Sequence, residues 1–508
     1  MKKILTCKQQ QAADQYTISQ EGIASIDLME KAATLMTEEI IRRWSSEYRM
    51  VCFAGAGNNG GDALAIARML YMRGYEVEVF LFNPYGKISE ETATNARRLQ
   101  EVGCLNYTEV TSSFKTPTLT EQDVVIDGLF GIGLNRSLEG GFAAVVSLIN
   151  ASPAQVVAID IPSGLMGEDN STIKRQYVVR ANLTLTVHSP KLAFLFSENE
   201  EYIGEWVVLD AGISKTFTEK TASPYYIIEQ EDLIPLIKPR KRFAHKGEFG
   251  HTLLIAGSYG MGGCAVLAAR AAMRAGTGLV TVHAPQKNVV ILQTAVPEAV
   301  VSVDIHEALF TYPIETTTYD AVGIGPGLGT DVLTATAIGQ VFSQSDMPLV
   351  IDADALNICS KHPALLKKIP QNSILTPHLG EFERLVGDCS NTFERLNKAK
   401  SLATEHKIYI VLKGAWTAIV TPEGDCFFNT SGNPGMAVGG SGDVLTGILT
   451  SLLAQGYSPL DTCKIGVYLH GLAGDIASYQ KGEIGMTAGD IVEAIPQAWQ
   501  ALIPQKRK

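Results

Sequence analysis

Two short clusters in this chain combine glycines with acidic and amide side chains in a way that could hold a phosphate and move a proton. The first is Gly55-Ala56-Gly57-Asn58-Asn59-Gly60-Gly61-Asp62, directly after an apolar run at 50–53 and directly before a helical pattern. Glycines at a strand-to-helix turn allow close backbone approach, and the first amides of the helix offer unpaired N–H groups and a positive dipole end to an anion. A plain glycine turn is often only a packing device; two Asn and an Asp beside it add ribose or metal contacts. The second cluster is Asn433-Pro434-Gly435-Met436-Ala437-Val438-Gly439-Gly440-Ser441-Gly442-Asp443, which leads into the apolar stretch 444–454. Gly-Gly-Ser-Gly before a helix makes a nest of N–H donors, and Asp443 at the helix start has its charged form favoured by the dipole. This suits phosphoryl transfer to a hydroxyl. The amides neutralise developing charge while Asp443 orients or deprotonates the attacking oxygen. One such donor is worth roughly 3 kcal/mol in a transition state.

Other strand ends supply further groups. Asp127 precedes Gly128-Leu129-Phe130-Gly131-Ile132-Gly133-Leu134-Asn135-Arg136, and Asp160 precedes Ile161-Pro162-Ser163-Gly164. A lone Asp after a strand is often a cap or turn residue. Two of them converging on the Asn-Asn-Gly-Gly-Asp loop suit a hard cation held by side-chain and backbone oxygens. In the second half, Gly325-Pro326-Gly327-Leu328-Gly329, Asp352-Ala353-Asp354-Ala355-Leu356-Asn357, Thr376-Pro377-His378-Leu379-Gly380-Glu381 and Lys413-Gly414-Ala415-Trp416-Thr417 each follow an apolar run. Lys413 is a candidate phosphate holder. His378 alone reads as structural; flanked by Pro377, Gly380 and Glu381 it becomes a candidate substrate contact. Neither Gx4GK[ST] nor an HRD and DFG kinase set occurs.

The elements that must position these residues follow from the pattern. Strands are expected at 50–53, 76–82, 124–127, 156–160 and 183–187, with helices at 63–73 and 90–102 between them. After a lapse around 214–250, strands are expected again at 252–256, 279–283, 321–324, 349–352, 373–375, 409–412, 418–421 and 426–429, and the end of the chain, from 436, reads as mostly helical. Apolar runs without strict alternation, separated by helices, argue parallel sheets covered on both faces. The fold class is therefore α/β, as two three-layer α/β/α sandwiches in series. Domains are expected at 1–218 and 246–508, joined by a linker at 219–245 that contains the charge run Arg240-Lys241-Arg242.

The totals agree with this. The chain has 508 residues, 46% hydrophobic and 19% charged, ordinary for two or more globular domains. A net charge of −11 argues against nucleic acid, which needs clustered Lys and Arg. Anionic small ligands remain compatible, since backbone amides bind phosphate without net positive charge. The eight cysteines show no CxxC pair or rhythm and are expected as free, mostly buried thiols in a reducing, cytoplasmic compartment. Residues 4–7 are too short for a signal h-region. The uncharged runs 140–159 and 252–269 are broken by Gly, Ser, Pro or Asn and read as strand–loop–helix pieces rather than membrane spans.

GAGNNGGD, DGLFGIGLNR and AIDIPSG together resemble the NAD(P)H-hydrate epimerase family, and GPGLG, DADALN, TPHLGE, KG-x-x-T and NPGMAVGGSGDVLTG resemble the ADP- or ATP-dependent NAD(P)H-hydrate dehydratases. The resemblance spans about residues 9–500. It implies a Rossmann-like N-terminal domain and a ribokinase-like C-terminal one. It further implies substrate contacts from Asn58, Asn59, Gly60, Gly61, Asp62, Gly131, Ile132, Gly133, Leu134, Asn135, Arg136, Ser137 and Asp160, with potassium on Asn59, Asp127 and Ser163. Asp160 becomes the candidate epimerase base; loss of the hydroxyl and ring opening at nitrogen both stay open as routes. In the second half it implies substrate contacts from Ala265, Gly327, His378 and Asp443, nucleotide contacts from Lys413, Gly414, Ala415, Trp416, Thr417, Gly439, Gly440, Ser441 and Gly442, Mg2+ with ADP or ATP, and Asp443 as base. NADHX and NADPHX would be the substrates, no membrane or nucleic acid a partner, and a homo-oligomer the assembly. One departure is Ala63, where the family usually has Gly. The competing expectations are a small-alcohol or vitamin-precursor kinase carrying a nucleotide-binding module, and a first half without catalysis.

Overall fold

The structure, a computed structural model, describes residues 1–503. The chain forms two compact units: residues 3–223 with 391–393, and residues 1–2 with 224–390 and the chain from 394 onward.

The first unit is built on a seven-stranded sheet, in spatial order Tyr107–Val110, Val77–Phe82, Arg49–Ala54, Asp123–Gly128, Gln155–Ile159, Leu183–Val187 and Glu205–Leu209. Every neighbouring pair is parallel. The central strand shows why: Met50, Cys52 and Ala54 pack into one apolar layer with Leu64 and Ile66, and Val51 and Phe53 into the other with Phe80 and Val146. A strand buried on both faces needs helices on both faces. The order reverses between Arg49–Ala54 and Asp123–Gly128, so the loops after these two strands open at the topological switch point, where ligands of such sheets bind. Helix Asn58–Met72 starts from the first loop.

The second unit is built on a sheet to which it contributes ten strands, from Tyr225–Ile228 to Cys426–Asn429. From Tyr409–Leu412 it runs in parallel through Ile374–Leu375, Leu349–Ile351, Ala321–Ile324, His251–Ile255, Leu279–Ala284 and Val300–Val303. On the other side Ala418–Val420 and Cys426–Asn429 continue it antiparallel. Tyr225–Ile228 then pairs in parallel with Cys426–Asn429. The segment expected as linker at 219–245 therefore contributes a strand of this sheet; Tyr225, Ile227 and Ile228 are buried and form a strand too short to stand out beside the charge run that follows. Helices Gly262–Ala275 and Ser441–Ala454 cross closely: a methyl on Gly447 would overlap the carbonyl oxygen of Ala268. Ser441–Ala454 is buried continuously from Val444 to Leu452, which fixes where its N-terminus points.

The expected strands all form. The sequence reading missed Tyr107–Val110, Glu205–Leu209 and Val300–Val303, strands of four or five residues at sheet edges and largely half-buried or exposed, too short to stand out as separate elements. The two long uncharged runs divide as expected, one into helix Gly140–Ala151 and strand Gln155–Ile159, the other into strand His251–Ile255 and the start of helix Gly262–Ala275. All eight cysteines are unpaired, five of them buried. Among the described residues no helix is long and apolar enough to cross a membrane.

Candidate functional site

In the first unit a cavity of about 740 Å³ opens at the switch point, lined among others by Asn58, Asn59, Asp62, Gly131, Ile132, Gly133, Leu134 and Asp160. Gly60 and Gly61, in the same loop, do not line it. A methyl on Gly60 would overlap the Gly55 carbonyl, and one on Gly61 would lie 2.9 Å from the Met29 sulfur. These two glycines bring the helix against its neighbours. Arg136 and Ser137 line an adjoining cavity of about 860 Å³ with Phe114, Phe130 and Phe142, while Asn135 is exposed and lines neither. Ala63 is fully buried and occupies the space that Gly128 leaves free; a methyl on Gly128 would overlap it. The departure at position 63 is thus absorbed by packing on Gly128.

Asp127 is completely buried at the end of its strand. Its Oδ1 accepts from Ser163 Oγ at 2.6 Å and its Oδ2 from the Ser163 amide at 2.8 Å. Burial nevertheless pushes its carboxyl up to about 6, against these hydrogen bonds and one from the Leu129 amide. The Asn59 side chain faces Asp160 across Gly131: a methyl on Gly131 would lie 3.1 Å from Asn59 Oδ1 and 3.0 Å from Asp160 Oδ2, so only glycine fits between the two side chains. The Asn59 amide nitrogen is buried without a hydrogen-bond partner. Of the expected trio, Asp127 and Ser163 are hydrogen-bonded to each other, and the Asn59 carbonyl lies close to Gly128 while its side chain faces Gly131.

Asp160 sits at φ 67°, a left-handed backbone that Asp tolerates better than most residues. It projects its carboxylate into the cavity, where Oδ2 accepts from the Ile132 amide at 3.1 Å and Oδ1 meets Lys191 Nζ at 2.7 Å. Two more acids line the same cavity. Burial, followed by the charge of Asp160, raises Asp14 to about 6, with Lys191 working against them. Burial followed by Asp160, Asp14 and Glu91 holds Asp62 well above the usual carboxylate range. Asp14 and Lys191 were not anticipated. Asp14 lies on helix Cys7–Glu21, which is too polar to announce a cavity wall. Lys191 did leave a signal: a single cation in the run Ser189-Pro190-Lys191-Leu192-Ala193-Phe194-Leu195-Phe196 has to find a buried partner.

In the second unit Gly440 caps helix Ser441–Ala454 from a left-handed conformation at φ 93°. Asp443 stands in its first turn. Burial pushes its carboxyl up to about 6; Asp352 and Asp354 add to the rise, while a hydrogen bond from Cys264 and the charge of Lys413 oppose it. Lys413 Nζ bonds Asp352 Oδ1 at 2.9 Å and Thr446 Oγ bonds Asp352 Oδ2 at 2.8 Å. A methyl on Gly442 would lie 3.3 Å from Lys413 Nζ and 3.5 Å from Asp352 Oδ2, so the glycine nest lies directly over this pair. Ser441 Oγ is 3.3 Å from His470 Nε2.

Gly414 and Ala415 are exposed, and Thr417 closes their turn by donating to the Gly414 carbonyl at 3.0 Å; Trp416 is half-buried on it. Gly439 is exposed. Gly327 lies over Cys264, which faces Asp443, whereas Ala265 is fully buried among Leu254, Val282 and Ala284. His378 proves to be the cap of helix Leu379–Val386, its Nδ1 accepting from the Gly380 and Glu381 amides at 3.1 and 3.3 Å. Its Nε2 lies 3.4 Å from Glu381 Oε1, which places it beside the buried Glu381. Thr446 and Cys264 were missed, because each is an unremarkable residue inside an apolar helix.

Each unit thus ends its strands on a glycine loop, a helix N-terminus and an acid in a polar recess, the make-up of an α/β enzyme with two nucleotide-handling sites on one chain. A family model described as NAD(P)H-hydrate dehydratase matches residues 252–497, and one described as YjeF-related protein N-terminus matches residues 25–193. Proteins named bifunctional NAD(P)H-hydrate repair enzyme Nnr are similar over nearly the whole length. That of Moorella thermoacetica is 34% identical over 97% of this chain and 96% of its own, and that of Escherichia coli 32% identical over 93% and 89%. Among solved structures, the ADP/ATP-dependent NAD(P)H-hydrate dehydratase of Bacillus subtilis co-crystallised with ATP/Mg2+ is 32% identical, with TM-score 0.48, over 54% of this chain and 97% of that one. The chain belongs to the family of bifunctional NAD(P)H-hydrate repair enzymes.

Proposed function

We propose that the chain restores hydrated NADH and NADPH, epimerising the hydrate in the first unit and dehydrating its S form in the second. The observation that carries this is the placement of Asp443: a half-buried acid in the first turn of a helix, beneath a Gly439–Gly442 nest and beside Lys413. In this reading Asp443 takes the proton of the ring hydroxyl, and that oxygen accepts the terminal phosphoryl group of the nucleotide, held by Lys413 and the nest amides. The ring nitrogen then pushes out phosphate, a far better leaving group than hydroxide, and loss of a proton from the neighbouring carbon restores the dihydronicotinamide. ADP is the nucleotide proposed, in line with the resemblance to fused two-domain enzymes. Mg2+ would neutralise the charge on the transferred phosphoryl group; the buried carboxylates Asp352 and Glu381 flanking Lys413 are the oxygen donors for it.

In the first unit Asp160 is the base, with the hydrate in the cavity of Asn58, Asn59, Asp62 and the 131–134 loop. Potassium would be held by Asn59, Asp127 and Ser163, in line with the same resemblance. Asp127 is fully buried, and no cationic side chain is among the groups that act on it, so a monovalent cation supplies the missing charge. We further read the protein as a cytoplasmic homo-oligomer, in line with the same resemblance.

The test is to incubate the protein with both NADHX epimers and either ADP or ATP, following the dihydronicotinamide absorbance. Full recovery is expected with ADP. Recovery stalling near half would leave the first unit without epimerase activity. A stable phosphate ester in place of inorganic phosphate would make the protein a small-alcohol kinase.

A further inference from the structure

Lys191 is 1% exposed, behind the cavity-lining residues Gln10 and Asp160, an expensive place for an ammonium unless it is fully paired. Its three N–H donors have three partners, each at 2.7 Å: Asp160 Oδ1, Thr186 Oγ and Gln10 Oε1. Gln10 is itself tied down, donating to the Leu5 carbonyl at 3.1 Å and Ser189 Oγ at 3.2 Å. No N–H is left over for a substrate, so whatever Lys191 does, it does through Asp160. With Oδ1 on the ammonium and Oδ2 on the Ile132 amide, the carboxylate is held at both oxygens and cannot rotate away.

We propose that Lys191 is a positioning residue for epimerisation, its buried ammonium fixing the Asp160 carboxylate and aiming it at the bound hydrate. The inference rests on the epimerase reading of this cavity. The surroundings explain why such a cation is needed. Asp160 is faced by Lys191 and Thr186 from the strand and turn beside it, by the Ile132 amide, by Asp14 and Cys7 of helix Cys7–Glu21, and by Asp62 of helix Asn58–Met72. Apart from Lys191 these groups are acids or uncharged. Without the ammonium, three carboxyl groups would share one recess with no cation to offset their charge.

The experiment uses the full chain, wild type and Lys191→Met, assayed for interconversion of purified R and S epimers across pH, with dehydration of the S epimer as a separate readout. Wild-type interconversion decides the epimerase reading itself; its absence would overturn that reading whatever Lys191 does. Given an active wild type, Lys191→Met is expected to lower kcat about 100-fold at neutral pH with a smaller change in KM. The acid limb of its rate profile is expected to move up by about one pH unit or more. Lys191→Ala is expected to regain rate with propylammonium but not with propanol. Lys191→Gln, which keeps polar contacts without charge, takes the same test should Lys191→Met not fold. A uniform loss at every pH without rescue by the amine, or an unchanged rate, would overturn the proposal and leave Lys191 as a structural tie between Gln10 and the turn after Leu183–Val187.

Discussion

In the first unit a lysine bonds the candidate base itself, Lys191 to Asp160 at 2.7 Å; in the second, Lys413 bonds Asp352 at 2.9 Å, and among the described residues no ion pair reaches Asp443. The difference follows from what each site must receive. Epimerisation brings in only the hydrated dinucleotide, so the base can be paired permanently. Dehydration also brings in nucleotide phosphates, and a lysine spent on Asp443 would not be free to meet them. Asp352, held from its other side by Thr446, keeps Lys413 beneath the nest, where the proposed reading has it meet the nucleotide phosphates. Asp443 meanwhile rests with its carboxyl raised by burial to about 6, a useful value for a base that must both take and release a proton.

This contrast can be broken at its strongest point first. Asp443→Asn is expected to lower dehydration of the S epimer about 10³-fold or more while R–S interconversion continues; a loss below tenfold in the absorbance assay would remove Asp443 as base. Lys413→Met comes next, with an expected fall of about 100-fold in kcat/KM for the nucleotide, because it removes a phosphate contact and strands Asp352 without a counter-charge. The pH dependence sharpens the comparison. Asp443 must be ionised to accept a proton and its carboxyl is raised, so the dehydration rate should fall as pH drops through about 6, roughly tenfold per unit below it. Dehydration rates measured from pH 8 down to about 4.5 would expose a profile lacking that limb.

Two smaller effects test the first unit. Exchanging potassium for a bulky organic cation is expected to slow epimerisation about tenfold, on the scale of a disturbed ion shell, in a titration of rate against added potassium. Gly128→Ala is expected to destabilise the unit by about 1–3 kcal/mol in thermal unfolding, because its methyl would overlap Ala63. Adding Ala63→Gly should return most of that loss; an undiminished loss in the double variant would mean the two residues do not share one space.

The sequence by itself determined the α/β class, the glycine loops at the strand ends, and the acids Asp127, Asp160 and Asp443. These rest on local patterns: doubly buried strands leave unbroken apolar runs, and a strand-to-helix turn near a phosphate needs glycine at particular spacings. It also placed Asp127 and Ser163 at one site from two separate segments, because parallel strand ends share one rim. Only the tertiary structure decided which loop residues face a cavity, since Gly60 abuts the Gly55 carbonyl and Gly61 the Met29 side chain, while Asn59 and Asp62 line the cavity. It likewise decided the strand at Tyr225–Ile228, whose partner lies about two hundred residues away. The same holds for Lys191 with Gln10, 181 positions apart, and Asp352 with Thr446, 94 apart. A buried charge chooses its partner by proximity after folding, and no local spacing in a chain of 508 residues encodes that proximity.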